Sequence, residues 1–129
     1  MKKFENFCRA LTNLHEIETK SPPYDTITTA GMVALFEICF EQSWKAMKEI
    51  LERHGGGSKK IVSPKMIIKQ AYAAGMIADE ELWLEMLEAR NDVAHSYNEE
   101  VALEIIDAAQ KNFIALFEAL KAEIDANWS

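Results

Sequence analysis

Residues 33–51 read Val33-Ala34-Leu35-Phe36-Glu37-Ile38-Cys39-Phe40-Glu41-Gln42-Ser43-Trp44-Lys45-Ala46-Met47-Lys48-Glu49-Ile50-Leu51. Val33, Phe36, Phe40, Trp44, Met47 and Leu51 recur at three- and four-residue steps, which sets them on one face of an α-helix. Leu35, Ile38, Cys39, Ala46 and Ile50 widen that face, and so broad a stripe suits a central helix touched from two sides. The pattern predicts a helix that begins near Thr26 to Thr29, runs to His54 and is about 40 Å long. Gly55-Gly56-Gly57 stops it and opens a loop.

Working outward, Phe4, Phe7, Leu11, Leu14 and Ile17 form a first helical stripe, broken at Ser21-Pro22-Pro23, where proline lacks the amide donor. Downstream, Ser63-Pro64 marks a helix start: serine accepts from an orphan amide and proline suits the first helical position. Met66, Ile67, Ala71 and Tyr72 supply the apolar side of that helix, and Gly75 its stop. Asp79 caps a fourth helix carrying Leu82, Trp83, Met86, Leu87 and Val93. Asn98 caps a fifth, with Glu99 and Glu100 in the first turn facing the helix dipole favourably. Val101, Ile105, Ala109, Phe113, Leu116, Leu120 and Ile124 carry it to about Ala126. No strand signal, repeat or low-complexity tract interrupts this pattern. Short connections favour antiparallel neighbours, so the expected fold is all-α: an antiparallel up-and-down helical bundle of four to five helices, one domain over 1–129.

A chain of 129 residues buries roughly 68% of the surface its unfolded form would expose, enough for a core without staples. Cys8 and Cys39, the two cysteines, fall in apolar helical positions and read as two buried, reduced thiols. No apolar run reaches the roughly 18 residues of a membrane span. Met1-Lys2-Lys3-Phe4-Glu5-Asn6 precedes no signal-peptide core. A cytoplasmic location is expected, with no membrane partner. The net charge of −7 argues against general affinity for DNA, which needs cations to displace counterions. The charge is uneven. Arg53, Lys59, Lys60, Lys65 and Lys69 form a stretch free of acids, whereas Glu80, Glu81, Glu85, Glu88, Asp92, Glu99 and Glu100 surround one base, Arg90. Such runs are commonly solvated faces; the alternative is a cationic strip for an anionic ligand.

Familiar catalytic motifs are absent. Gly55-Gly56-Gly57 follows a helix and lacks the lysine-serine ending of a phosphate loop. Two scattered cysteines and three scattered histidines have no zinc spacing, so no metal is expected. No serine sits in a nucleophile elbow. One stretch stands apart: Arg90-Asn91-Asp92-Val93-Ala94-His95-Ser96-Tyr97. Asn91 and His95 share a helix face. Arg90 and Tyr97 would share one if the helix ran that far, and Arg90 and His95 differ by about 140° on an ideal helix. Arg90 and His95 converge only if the helix ends between them or a second subunit brings its own copy close. In the plain alternative, these groups satisfy the last carbonyls of a helix.

The Arg-Asn-x-x-x-His-x-Tyr stretch resembles the motif of the HEPN superfamily of small helical domains. Within it, the chain is similar to the nucleotidyltransferase substrate-binding protein family, through Phe36 to Lys45, Ser63-Pro64 with Ala71-x-x-Ala74-Gly75-Met76-Ile77, and Trp83 to Asn91. The resemblance covers nearly the whole chain. It implies a homodimer that pairs with a separately encoded minimal nucleotidyltransferase as a non-catalytic substrate-binding subunit, in some cases as a toxin–antitoxin pair. Arg90, Asn91, His95 and Tyr97 would then contact substrate, a nucleotide or RNA, while magnesium and nucleotide belong to the partner and this chain holds no cofactor. The alternative is a metal-independent RNase toxin in which Arg90 stabilises the phosphorane, His95 is acid or base, and Tyr97 receives AMP from the partner. A plain helical dimer without ligand is the third reading.

Trp44 and Trp83 are expected as core anchors, Trp128 as a terminal exposed residue, and His15 and His54 as surface residues. Met32, Met47, Met66, Met76 and Met86 read as gap-fillers, or as dimer contacts if exposed.

Overall fold

A computed structural model describes residues 1–55 and 63–129. Gly56, Gly57, Lys59 and Lys60 lie outside the described residues. The described residues form six α-helices: α1 (Lys2–Leu14), α2 (Thr26–Arg53), α3 (Pro64–Ala73), α4 (Glu80–His95), α5 (Glu99–Ala108) and α6 (Ile114–Asn127). A 3-10 turn at His15–Thr19 prolongs α1, and a π turn at Ala109–Phe113 joins α5 to α6 into one closing helix. No strand occurs among the described residues.

The helix starts are made by short polar side chains that accept from orphan amides. Asp25 Oδ1 accepts from the Thr28 amide at 2.7 Å, Ser63 Oγ from Met66 at 3.2 Å, Asp79 Oδ1 from Leu82 at 2.9 Å and Asn98 Oδ1 from Val101 at 2.9 Å. The Asp25 carboxyl is held below the usual carboxylate range, chiefly by the Thr28 amide. Gly55 and Gly75 end α2 and α3 at φ 76° and 80°, a left-handed conformation that side chains disfavour.

α1, α2, α4 and the closing helix form the up-and-down bundle. The starts of α2 and the closing helix lie together, since Thr26 and Thr29 share a depression with Tyr97 and Glu99. Their far ends also meet, where the His54 ring stands edge-on to Trp128 at 5.0 Å. These two helices therefore run parallel, with α1 and α4 antiparallel to them, and the short α3 packs on both α2 and α4. Phe7, Phe36, Phe40, Trp83, Phe113 and Phe117 form the centre of the core. Phe113 stacks on Phe36 at 5.4 Å, and Phe117 meets Trp83 at 5.7 Å and Phe7 at 6.0 Å.

The structure refines the phase of several stripes. Ile38, assigned to the broad face of α2, is 52% exposed, and Tyr72, assigned to the apolar side of α3, is 48% exposed. Ile68 is buried instead, on the side of α3 that meets α2 and α4. Trp83 is buried as expected, whereas Trp44 is half-buried. Trp128 is also half-buried, its Nε1 donating to Glu123 at 3.0 Å. In the closing helix, Ile105, Ala109, Phe113 and Phe117 follow at four-residue steps. Each such step overshoots a full turn by roughly 40° on an α-helix. The wider π turn takes up part of that overshoot, so Phe113 and Phe117 still face the core.

Cys39 is buried as expected, whereas Cys8, at the edge of the α1 stripe between buried Phe7 and exposed Arg9, is only half-buried; both are free thiols. Burial pushes the Cys39 thiol far above its usual range, and partial burial raises Cys8.

Candidate functional site at the end of α4

The polar stretch 90–97 closes α4. Arg90 lies beside the core positions Met86, Leu87 and Val93, and so points toward α2 rather than into solvent. Its Nη2 donates to Glu41 Oε2 at 2.9 Å, and its Nη1 donates to Asn91 Oδ1 at 3.1 Å. The same Glu41 oxygen accepts from Trp44 Nε1 at 3.1 Å, and Lys45 Nζ lies 3.6 Å from the other oxygen. The guanidinium carbon stands 6.0 Å from the centroid of the Phe40 ring. Glu41 thus joins one arginine, one indole and one lysine at a position about two-thirds withdrawn from solvent. An arginine held by a carboxylate on one edge keeps its remaining N–H groups for another acceptor.

α4 ends at His95, with Ser96 as the cap at φ −144° and ψ 62°. Tyr97 is therefore off the helix, and the shared face with Arg90 that a longer helix would give does not form. His95 is exposed and Tyr97 is 52% exposed. Tyr97 lines a depression of about 70 Å³ with Thr26, Thr29 and Glu99 at the first turns of α2 and α5. Asn91 lines a different one, about 420 Å³, with Lys65, Leu84, Leu87 and the carboxylates Glu81, Glu85 and Glu88. Neither lining includes Arg90 or His95. One chain thus places the four residues at one end of α4 without closing them into a single pocket.

Lys65, at the start of α3, brings one member of the cationic stretch to Asn91. Glu41 and Trp44 are the members of the site that sequence reasoning missed. The only local hint is Glu41-Gln42-Ser43, a polar break in an apolar run. Ser43 is fully buried and satisfies its hydroxyl on the Phe40 carbonyl at 2.6 Å. No group of three or more His, Cys, Asp or Glu side chains spaced to hold a metal ion occurs among the described residues. No helix among them is long and apolar enough to cross a membrane.

His15 belongs elsewhere. Its two ring nitrogens meet Glu18 and Glu118, the latter at 2.6 Å, so the imidazolium ties the end of α1 to α6. These two carboxylates, Glu18 first, raise its pKa above the ordinary value.

Comparison with known proteins agrees with this architecture. Residues 2–126 match the sequence pattern of a family described as nucleotidyltransferase substrate binding protein like. A curated relative, the probable ribonuclease HepT of Haemophilus influenzae, is 31% identical over 78 residues, which are 59% of this chain and 53% of that protein. The chain thus aligns with about half the length of that relative. A protein of Thermus thermophilus with a known crystal structure superposes with a TM-score of 0.77 at 29% identity, covering 92% of this chain and 98% of the other.

Proposed function

The chain belongs to the nucleotidyltransferase substrate binding protein like family, and from that premise we propose that it is a non-catalytic subunit for a separately encoded minimal nucleotidyltransferase. It works as a homodimer in the cytoplasm and presents Arg90, Asn91, His95 and Tyr97 to the substrate. The partner carries the nucleotide and magnesium. The observation that carries this reading is the state of Arg90. Its guanidinium is already paired with Glu41 and fixed by Asn91, while His95 and Tyr97 are exposed and make no hydrogen bond to it. A pre-positioned arginine edge with polar neighbours suits holding an anionic or carbonyl-bearing substrate. Acid–base chemistry would instead need His95 within reach of the same reacting atoms.

Co-expression with a minimal nucleotidyltransferase from the same genome tests the proposal. The two chains should co-purify as a stable complex, and Arg90→Ala should weaken substrate capture by that complex while leaving its assembly intact. Failure of the two to associate overturns the reading.

A second reading is favoured by one observation, the 31% identity to a probable ribonuclease. In it, a second copy completes the site. Arg90 stabilises the charged phosphorane and His95 moves the proton during attack by the ribose 2′-hydroxyl. Tyr97 is then the control point: its phenol oxygen attacks the α-phosphorus of ATP on the partner transferase, pyrophosphate leaves, and the phenol proton passes to a base of the transferase. In such a toxin–antitoxin pair, the chain expressed alone arrests growth and His95→Ala relieves the arrest. Equal growth with both forms removes this reading.

A further inference from the structure

Ile27, Gly31, Ala34 and Ile38 follow one another on α2 at steps of four, three and four residues, and all four are exposed, Ile27 to 85% and Ile38 to 52%. Ala30 is exposed beside them. This alternation of four and three is the spacing with which one helix meets another along a seam. The outward positions further along the helix are different: Glu41, Gln42, Lys45, Lys48 and Glu49 are polar. The bare apolar face belongs to the first half of α2.

Gly31 makes the face specific. It lies inside a long helix, where glycine costs stability relative to alanine. The chain itself gives no reason for it. Its φ is not positive, and a Cβ built there meets no atom within 4 Å. A glycine with open space outside it suits the close approach of a backbone from another molecule.

We propose that this face of α2 is the twofold seam of the homodimer. The occupant is a second copy of this chain, its α2 running antiparallel. The argument is the symmetry of the stripe. About a point between Met32 and Val33, Ile27 exchanges with Ile38 and Gly31 with Ala34. Each isoleucine of one copy then lies over the opposite isoleucine of the other, and the small residues meet at the axis. An isologous contact requires such a self-complementary patch, whereas an unrelated partner does not. The two isoleucines are about 16 Å apart along the helix. That span alone is short of the roughly 800 Å² per partner of a stable interface. Ala30 and the half-buried Leu35, which exchange about the same point, widen the patch on its two sides. Glu41 continues the same face one step beyond Ile38, so the seam borders the ion pair that holds Arg90.

This inference rests on the homodimer reading above, and sedimentation of the full chain separates the two. The wild type should sediment as a dimer. Gly31→Leu and Ile38→Glu should each weaken dimerisation by about tenfold or more and keep the helical circular dichroism. Tyr72→Glu, at another exposed apolar residue, should leave the dimer unchanged. A dimeric wild type whose Gly31→Leu and Ile38→Glu forms dimerise equally well overturns the seam and leaves the homodimer standing. A monomeric wild type overturns both. Should Gly31→Leu fail to fold, Ile38→Glu at its exposed site decides the outcome by itself.

Discussion

Arg90 on α4 and Glu41 on α2 meet at 2.9 Å, and the Glu41 oxygen that accepts the guanidinium also accepts the Trp44 indole. The pair is separated by 49 residues in sequence, so it exists only once α4 has packed along α2. It therefore reports tertiary docking as well as charge.

Breaking this pair should cost little stability, because both side chains remain about one-third exposed. Arg90→Ala and Glu41→Ala are each expected to lower unfolding free energy by about 1 kcal/mol, with a coupling of about 0.5–1 kcal/mol in a double-mutant cycle. Urea denaturation of the four proteins measures this. Strict additivity would mean that the two side chains do not cooperate in solution.

His15 makes stability depend on pH in one direction. Its folded-state pKa lies above the ordinary 6.5. The bridge to Glu18 and Glu118 therefore contributes fully below that value, and the contribution is lost as pH rises through the raised folded value. The partners are exposed enough to keep the effect under about 1 kcal/mol. His15→Ala should be less stable than wild type at about pH 6, with the gap shrinking by about pH 9. A gap that widens with pH contradicts the bridge.

Helix ends were legible because their signals are local. Asp79, Asn98 and Ser63-Pro64 each cap where expected, and Gly75 stops α3 through its own backbone. The phase of the apolar stripes was less legible. Ile38 and Tyr72 are apolar at helical spacing, yet they face outward. Hydrophobicity gives no means of telling an apolar residue that faces the core from one that faces outward. The Arg90–Glu41 pair left almost no mark in sequence, since nothing near either residue encodes which helix will lie alongside. The motif residues 90, 91, 95 and 97 do fall together at the end of α4. Their directions were set by where that helix stops, and Ser96 stops it just before Tyr97.

The two thiols should differ sharply in reactivity. Thiolate is the attacking species, and burial disfavours it. Cys39 is fully buried with its pKa pushed far up, while Cys8 is half-buried and raised less. At about pH 8, Ellman's reagent should titrate Cys8 slowly in the native protein and Cys39 only after denaturant is added. Rapid release of two equivalents from native protein would contradict the packing of Cys39 in the core.

Asn98 governs the turn that carries Tyr97. Its Oδ1 accepts from the Val101 amide at 2.9 Å and so holds the first turn of α5. The side chain is exposed, so replacing it leaves no cavity and the loss is confined to the cap. Asn98→Ala should lower stability by about 1 kcal/mol, and Asn98→Asp should retain most of it, since aspartate caps equally well. The damage should be local. Hydrogen exchange should speed up at Glu100 and Val101, whose amides belong to the uncapped turn, while exchange in the middle of α2 stays as it was. Because Tyr97 lines its depression with Glu99 of that same turn, fraying there should also loosen the tyrosine and raise its solvent exposure. Unchanged exchange at Val101 in the alanine variant would mean that the turn is held by packing of Ala102 and Ile105 alone.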